Sequence, residues 1–177
     1  INFNPETMGD YLEEAVIYSN AGEDTVVLQG RGVQAVLDLS TDSLDFGLVN
    51  SIVEKDISFQ IINQGNIDMV VDSVSNGLDI FTVATAGSNV PAEDSIACTV
   101  TFSPEESSSY KDTLVVHTNV GDDTVIVKGI GVNRLIELST MELNLDEIYV
   151  NETSIDSFYI HNVGSDQVTV DSIRITG

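Results

Sequence analysis

The chain has 177 residues, 42% of them hydrophobic, and a formal net charge of −23 from 29 acids against six lysines and arginines. That apolar content is enough for a core and excludes wholesale disorder, whereas the charge repels phosphate backbones and anionic lipid, so neither nucleic acid nor a membrane surface is an expected partner. The single cysteine, Cys98, excludes an intrachain disulfide, and no apolar run approaches the ~18 residues of a membrane span.

In chain order, residues 8–19 (MGDYLEEAVIYS) hold helix formers with early acids, but their later counterpart SSSYKDTLVVHT is a poor helix sequence. The strand reading is therefore taken for both. VLDLS (36–40) and SLDFG (43–47) follow as short strands. DISFQII (56–62) alternates Ile57, Phe59 and Ile61 against Ser58 and Gln60, the two-residue period of a half-buried strand. DMVVDSV (68–74) and IFTVA (80–84) continue the pattern, and SIACTVTF (95–102) sets Ile96, Cys98, Val100 and Phe102 on one face. TLVVHT (113–118) and TVIVKG (124–129) are β-branched runs bounded by turn residues. Seven to nine short strands in about a hundred residues predict an all-β antiparallel sandwich.

An internal repeat organises these elements. Shifted by 99 residues, INFNPETMGDY (1–11) falls on VTFSPEESSSY (100–110), LDLSTDSL (37–44) on IELSTMEL (136–143), and SFQIINQG (58–65) on SFYIHNVG (157–164). Of the 78 positions comparable at that offset 25 are identical, where chance gives roughly 5, so the chain reads as a tandem repeat. Residues 34–132 are then one complete copy, 1–33 the C-terminal part of a preceding copy, and 133–177 the N-terminal part of a following one. The first residue is Ile1 and no signal peptide is visible, which fits a piece of a longer array.

The residues LDFG, F-x-I-x-N-x-G, V-T-F-S-P with a following Tyr110, and TNVGDDTVIVKGIG together resemble the ASPM/SPD-2/Hydin (ASH) domain. They are most similar to the repeats of bacterial "choice-of-anchor D" surface proteins. The resemblance covers the central copy and both partial ones. It implies a seven-stranded immunoglobulin-like sandwich related to the major sperm protein fold, no catalytic residues and no cofactor. In bacteria it implies long secreted or surface-anchored proteins, and in eukaryotes ciliary and centrosomal scaffolds.

Few residues suggest chemistry. His117 and His161 fall on Tyr18 and Ile62 at the repeat offset, so neither serves a role built into the unit. Cys98 shares the apolar parity of its strand and reads as a small hydrophobe. The pairs Glu23-Asp24 and Asp122-Asp123 occupy the same turn of two copies. They are weak candidates for cation binding, calcium above all, but lack the D-x-D-x-D-G spacing that converges several oxygens. Asn151-Glu152-Thr153 is a formal glycosylation sequon. Three lysines make a Lys–Asn crosslink a poor expectation, and no hydrolase, metalloprotease or phosphate-loop motif occurs.

The expected function is that of a non-catalytic structural or adhesive repeat in a long extracellular bacterial surface or filament-forming protein, with neighbouring copies of itself as partners. An intracellular scaffold of the ciliary kind is the alternative, and a carbohydrate-binding module ranks below both because the chain has no Trp. A partial sandwich exposes an apolar face. Residues 133–177 and 1–33 of different chains supply most of a copy between them, lacking the equivalent of 79–99, so head-to-tail completion by strand addition is a further expectation.

Overall fold

A computed structural model of the chain describes residues 1–85 and 87–176, and these residues form strands and connections without a helix. Residues 1–33 hold β1 (Gly9–Ser19) and β2 (Gly22–Gly32). The central segment holds nine strands: β3 (Leu37–Leu39), β4 (Ser43–Asn50), β5 (Lys55–Asn63), β6 (Met69–Ser75), β7 (Phe81–Thr85), β8 (Asn89–Val90), β9 (Ser95–Phe102), β10 (Ser109–Thr118) and β11 (Gly121–Val132). Residues 133–177 contribute β12 (Ile136–Leu138) and β13 (Ile160–Asn162).

The central strands make two sheets, ordered β4-β11-β10-β6-β8 and β3-β5-β9-β7, whose inner faces enclose the core. This is the expected sandwich, two short strands richer than the seven that the resemblance implied. Alternation decides what is inside: Phe59 and Ile61 on β5, Cys98, Val100 and Phe102 on β9, Leu114 and Val116 on β10, and Val125 and Val127 on β11 are all buried. Each such side chain contributes about 1.5–3 kcal/mol when removed from water. Phe46, Phe81 and Phe102 meet at the centre with ring centroids 4.9–5.8 Å apart. Tyr110 lies edge-on to Phe102 at 5.7 Å, and Gly129 leaves room for that ring: a Cβ there would lie 2.5 Å from Phe102 Cε1.

Two places depart from simple alternation. On β4, Gly47 adopts a positive φ of 65° and forms a bulge, so Phe46 and Gly47 together face Gly129 between the pairs Lys128↔Asp45 and Ile130↔Leu48. The bulge turns Leu48 outward and returns Val49 to the core. The free edge of β4 is blunted by Lys55, whose Nζ donates to the Phe46 carbonyl at 2.6 Å. At the end of β5, Asn63 is fully buried. Its Nδ2 donates to the carbonyls of Ile67, Val90 and Pro91, and its Oδ1 accepts the N–H groups of Val36 and Gly65. A buried amide with this many partners joins three segments without an unsatisfied polar atom.

Residues 8–19 are the strand β1 for most of their length, as the counterpart sequence required. The hairpin β1–β2 has the register of β10–β11 displaced by 99: Ser19↔Gly22 matches Thr118↔Gly121, and Tyr11↔Gly30 matches Tyr110↔Gly129. Phe3 also lies edge-on to Tyr11, at 5.4 Å. In residues 133–177 the pattern is realised less fully. Residues 142–149 fall on β4 at this offset but form no strand; in the central segment the strand that holds β4 is β11, and none of the described residues pairs with 142–149 in that way. The turn nonetheless survives: Asp146, opposite Gly47 in the offset, also has a positive φ of 52°.

Candidate functional site

The paired acids lie beside the tips of the two hairpins. Gly121, with φ 137°, turns β10 into β11, and Thr118 Oγ1 donates to the Gly121 carbonyl at 2.6 Å. Ser19 Oγ donates likewise to the Gly22 carbonyl at 2.9 Å. Beyond the turn, successive residues of a strand point to opposite faces, so Asp122 and Asp123 diverge, as do Glu23 and Asp24. Asp123 accepts the Thr124 N–H at 2.7 Å and Asp24 the Thr25 N–H at 2.8 Å. In each turn the two neighbouring carboxylates therefore point to opposite faces of the hairpin. Among the described residues no three His, Cys, Asp or Glu side chains gather as a metal ligand set.

Asp122 is engaged elsewhere. It stands opposite His117 in the hairpin, with 3.0 Å between Asp122 Oδ2 and His117 Nδ1, and His117 Nε2 lies 3.0 Å from Ser75 Oγ on β6. This is a Ser–His–Asp chain across three strands, in which the carboxylate orients the ring and the ring can take the hydroxyl proton. Its setting argues for surface bonding instead. Ser75 and Asp122 are exposed, so water competes for every contact, and the positions at the 99-residue offset hold Arg174, Tyr18 and Glu23. The sequence singles out His117 and gives no sign of Ser75. The tight hairpin already places 117 opposite 122, but the approach of Ser75 depends on the pairing of β10 with the distant β6, in which His117 stands opposite Ser73 and Val115 opposite Ser75. His161 is exposed beside the Tyr159 ring at 6.2 Å.

Cys98 is fully buried on β9, and burial pushes its thiol up to about 11. A thiol so far from ionisation is a packing group rather than a nucleophile. The apolar cleft lined by Ile1, Phe3, Tyr11, Leu28 and Gly30 has the same interior meaning. Its counterparts at the offset, Val100, Phe102, Tyr110, Val127 and Gly129, belong to the central core or adjoin it.

The most organised polar constellations lie where segments meet. At the first joint Asn66 Nδ2 donates to the Gly32 carbonyl and Asn66 Oδ1 accepts the Gln34 N–H, both at 2.9 Å. At the second, 99 residues on, Ser165 Oγ accepts the Asn133 N–H at 3.0 Å and a hydrogen bond from Ser107 Oγ at 2.6 Å. There Arg134 also pairs with Asp166 at 2.7 Å. The guanidinium, with the Gln167 N–H, holds the Asp166 carboxyl below the usual carboxylate range.

No curated protein matches the chain. Among solved structures, a Porphyromonas gingivalis W83 protein of unknown function superposes with TM-score 0.51 at 17% identity, over 72% of this chain and 68% of that one. The ASH/PapD-like domain 7 of human CEP192 gives TM-score 0.47 at 12% identity, over 55% and 85%. The Vibrio cholerae VesB protease gives 0.43 at 12%, over 53% and 31%. These likenesses concern the fold alone. Residues 35–129, more than half of the chain, match the family described as HYDIN/CFA65/VesB-like, Ig-like domain. With its nine-stranded sandwich over the same residues, the chain belongs to this HYDIN/CFA65/VesB-like Ig-like domain family.

Proposed function

We propose that the chain is a stretch of an end-to-end array of Ig-like units, 1–33, 34–132 and 133–177 being parts of three of them. The array serves as a non-catalytic structural or adhesive element of an extracellular bacterial surface protein. The observation that carries this reading is the pair of clasped joints. At each, the loop after a strand end of the following unit (Asn66, Ser165) hydrogen-bonds the segment leading into that unit, and it reaches the preceding unit through Gly32 or Ser107. A linker of about three residues with both flanks tied has little freedom, so successive units hold one angle and transmit length. The net charge of −23 favours solubility, and the lack of disulfides suits a surface protein that does without them.

Small-angle scattering from the monomeric chain tests the mechanical part. A single narrow distribution of maximum dimension is expected, broadened when Asn66→Gly and Ser165→Gly remove the clasps; an equally broad distribution for the parent chain would overturn a stiff array. Protease shaving of intact source cells tests the location. Loss of the protein without lysis is expected, while full protection would favour the intracellular scaffold.

A further inference from the structure

The two hairpins share a register, so their outward faces can be compared position by position, and their charges differ. On the central sandwich, Lys111 stands directly opposite Lys128. Ile126 and Ile130 lie on the same face, and Leu48, 61% exposed, sits opposite Ile130. Lys128 pairs with Asp45 at 3.1 Å, and Lys111 has no ion-pair partner among the described residues. Two of the chain's six basic residues therefore stand together among these aliphatic side chains, with Asp45 and Asp122 on the same outward parity, in a strongly acidic protein. The fold does not demand these side chains. At the 99-residue offset Ile130 is replaced by Arg31, Leu48 by Glu147, Lys111 by Leu12 and Lys128 by Gln29.

On β1–β2 the same outward parity carries Leu12, Val16, Tyr18 and Val27, all exposed, interleaved with Glu14 and Glu23. Glu14 faces Val27 and Tyr18 faces Glu23 across the hairpin, with the Asp10–Arg31 pair at one end. Side chains alternate along a strand, so this parity points outward whatever covers the opposite face.

We propose that the outward face of β1–β2 in one copy docks on the outward face of β4–β11–β10 in a second copy. Glu14 meets the adjacent Lys111 and Lys128, and the aliphatic side chains of the two faces pack around them. Pairing like with like would oppose lysine to lysine or glutamate to glutamate, so the contact is heterologous and propagates laterally instead of closing. Net repulsion between copies disfavours registers that lack opposed charges, and this gives the contact its specificity. Beyond about 8 Å that repulsion is screened at physiological salt, so the local match decides. One such face is small and weak, and an array multiplies it by raising effective concentration. The contact is additional to the end-to-end stacking and does not depend on where the array resides.

Sedimentation equilibrium of the 177-residue chain at physiological salt tests it, with the swaps Lys111→Glu/Lys128→Glu and Glu14→Lys. Concentration-dependent association is expected for the parent, weakened roughly tenfold or more in either swap. It should be regained in an equimolar mixture of the two, where each reversed face meets its complement. A parent that stays monomeric to about 1 mM, association equally strong in all samples, or a mixture that fails to recover would each overturn the docking. Scattering from the monomer reads joint stiffness separately, so the two proposals fail independently.

Discussion

Residues 99 apart in this molecule share sequence and register yet differ in what surrounds them. Val116 is fully buried and Ile17, its counterpart on β1, is 54% exposed; Phe102 is fully buried and Phe3 is 53% exposed. The hairpin β1–β2 is nevertheless as long and as regular as its central equivalent. Local pattern and turn chemistry are therefore enough to set strand direction and register, whereas burial comes only from the facing sheet. Stability should follow the second property, so paired substitutions at equivalent positions should have very unequal costs.

The largest inequality is expected at the aromatic pair. Phe102→Ala removes a ring stacked at 4.9 Å on Phe81 and packed on Phe46, and should cost about 3–5 kcal/mol of stability in denaturant unfolding. Phe3→Ala touches Tyr11 alone among the aromatics and should cost less than about 1 kcal/mol. Equal costs would mean that the two segments unfold as one body. Next comes the amide. Asn63→Ala leaves the Val36 and Gly65 N–H groups without their side-chain acceptor inside the protein and should cost about 2–3 kcal/mol. Asn162 makes the corresponding bonds to Gly164 and Asp166 but is exposed, so water replaces them in Asn162→Ala and little should change.

The same contrast separates the features legible in the amino-acid sequence from those that are not. The sandwich, its inward residues and the strand at 8–19 are legible because two-residue alternation is a local signal. The interior role of Cys98 is legible for the same reason. Pairings set by distant partners are not. β4 lies parallel to β11 across some eighty residues, and nothing near SLDFG announces it. Asn63 is visible as part of a motif, but its five bonds reach residues as far as Pro91. The turn acids look like a shared site because their spacing recurs, yet strand alternation sends neighbouring carboxylates apart. Ser75 carries no local signal, because its distance to His117 depends on the pairing of β10 with β6, some forty residues away in the chain.

Glycines provide a subtler comparison. A Cβ at Gly129 would lie 2.5 Å from the ring of Phe102, and one at Gly30 would lie 2.6 Å from the ring of Phe3. The clearances match, but the Phe102 ring is locked in the core while the Phe3 ring faces solvent and can swing away. Gly129→Ala should therefore cost about 1–3 kcal/mol as an overpacked core site, and Gly30→Ala should be nearly neutral. Thermal unfolding of both variants, followed by near-ultraviolet circular dichroism of the tyrosines, would show the difference, and matching costs would place Phe3 in a packed environment.

Cys98 has no counterpart in either flank, so its ionisation reports on the central sandwich alone. Burial raises the thiol from an ordinary 9.0 to about 11. A group whose folded value is raised favours the folded state below its unfolded value and loses that contribution as pH climbs through the folded one. Stability should hold below pH 9 and decline between about 9 and 11, by about 1 kcal/mol at pH 10. Denaturant unfolding at pH 8 and pH 10 checks this, with Cys98→Ala losing that part of the decline. A disulfide-exchange reagent should modify the thiol only as the sandwich opens. Modification as rapid as that of a free thiol at pH 8, with the fold intact, would mean that β9 is accessible and the two sheets are not closed over it.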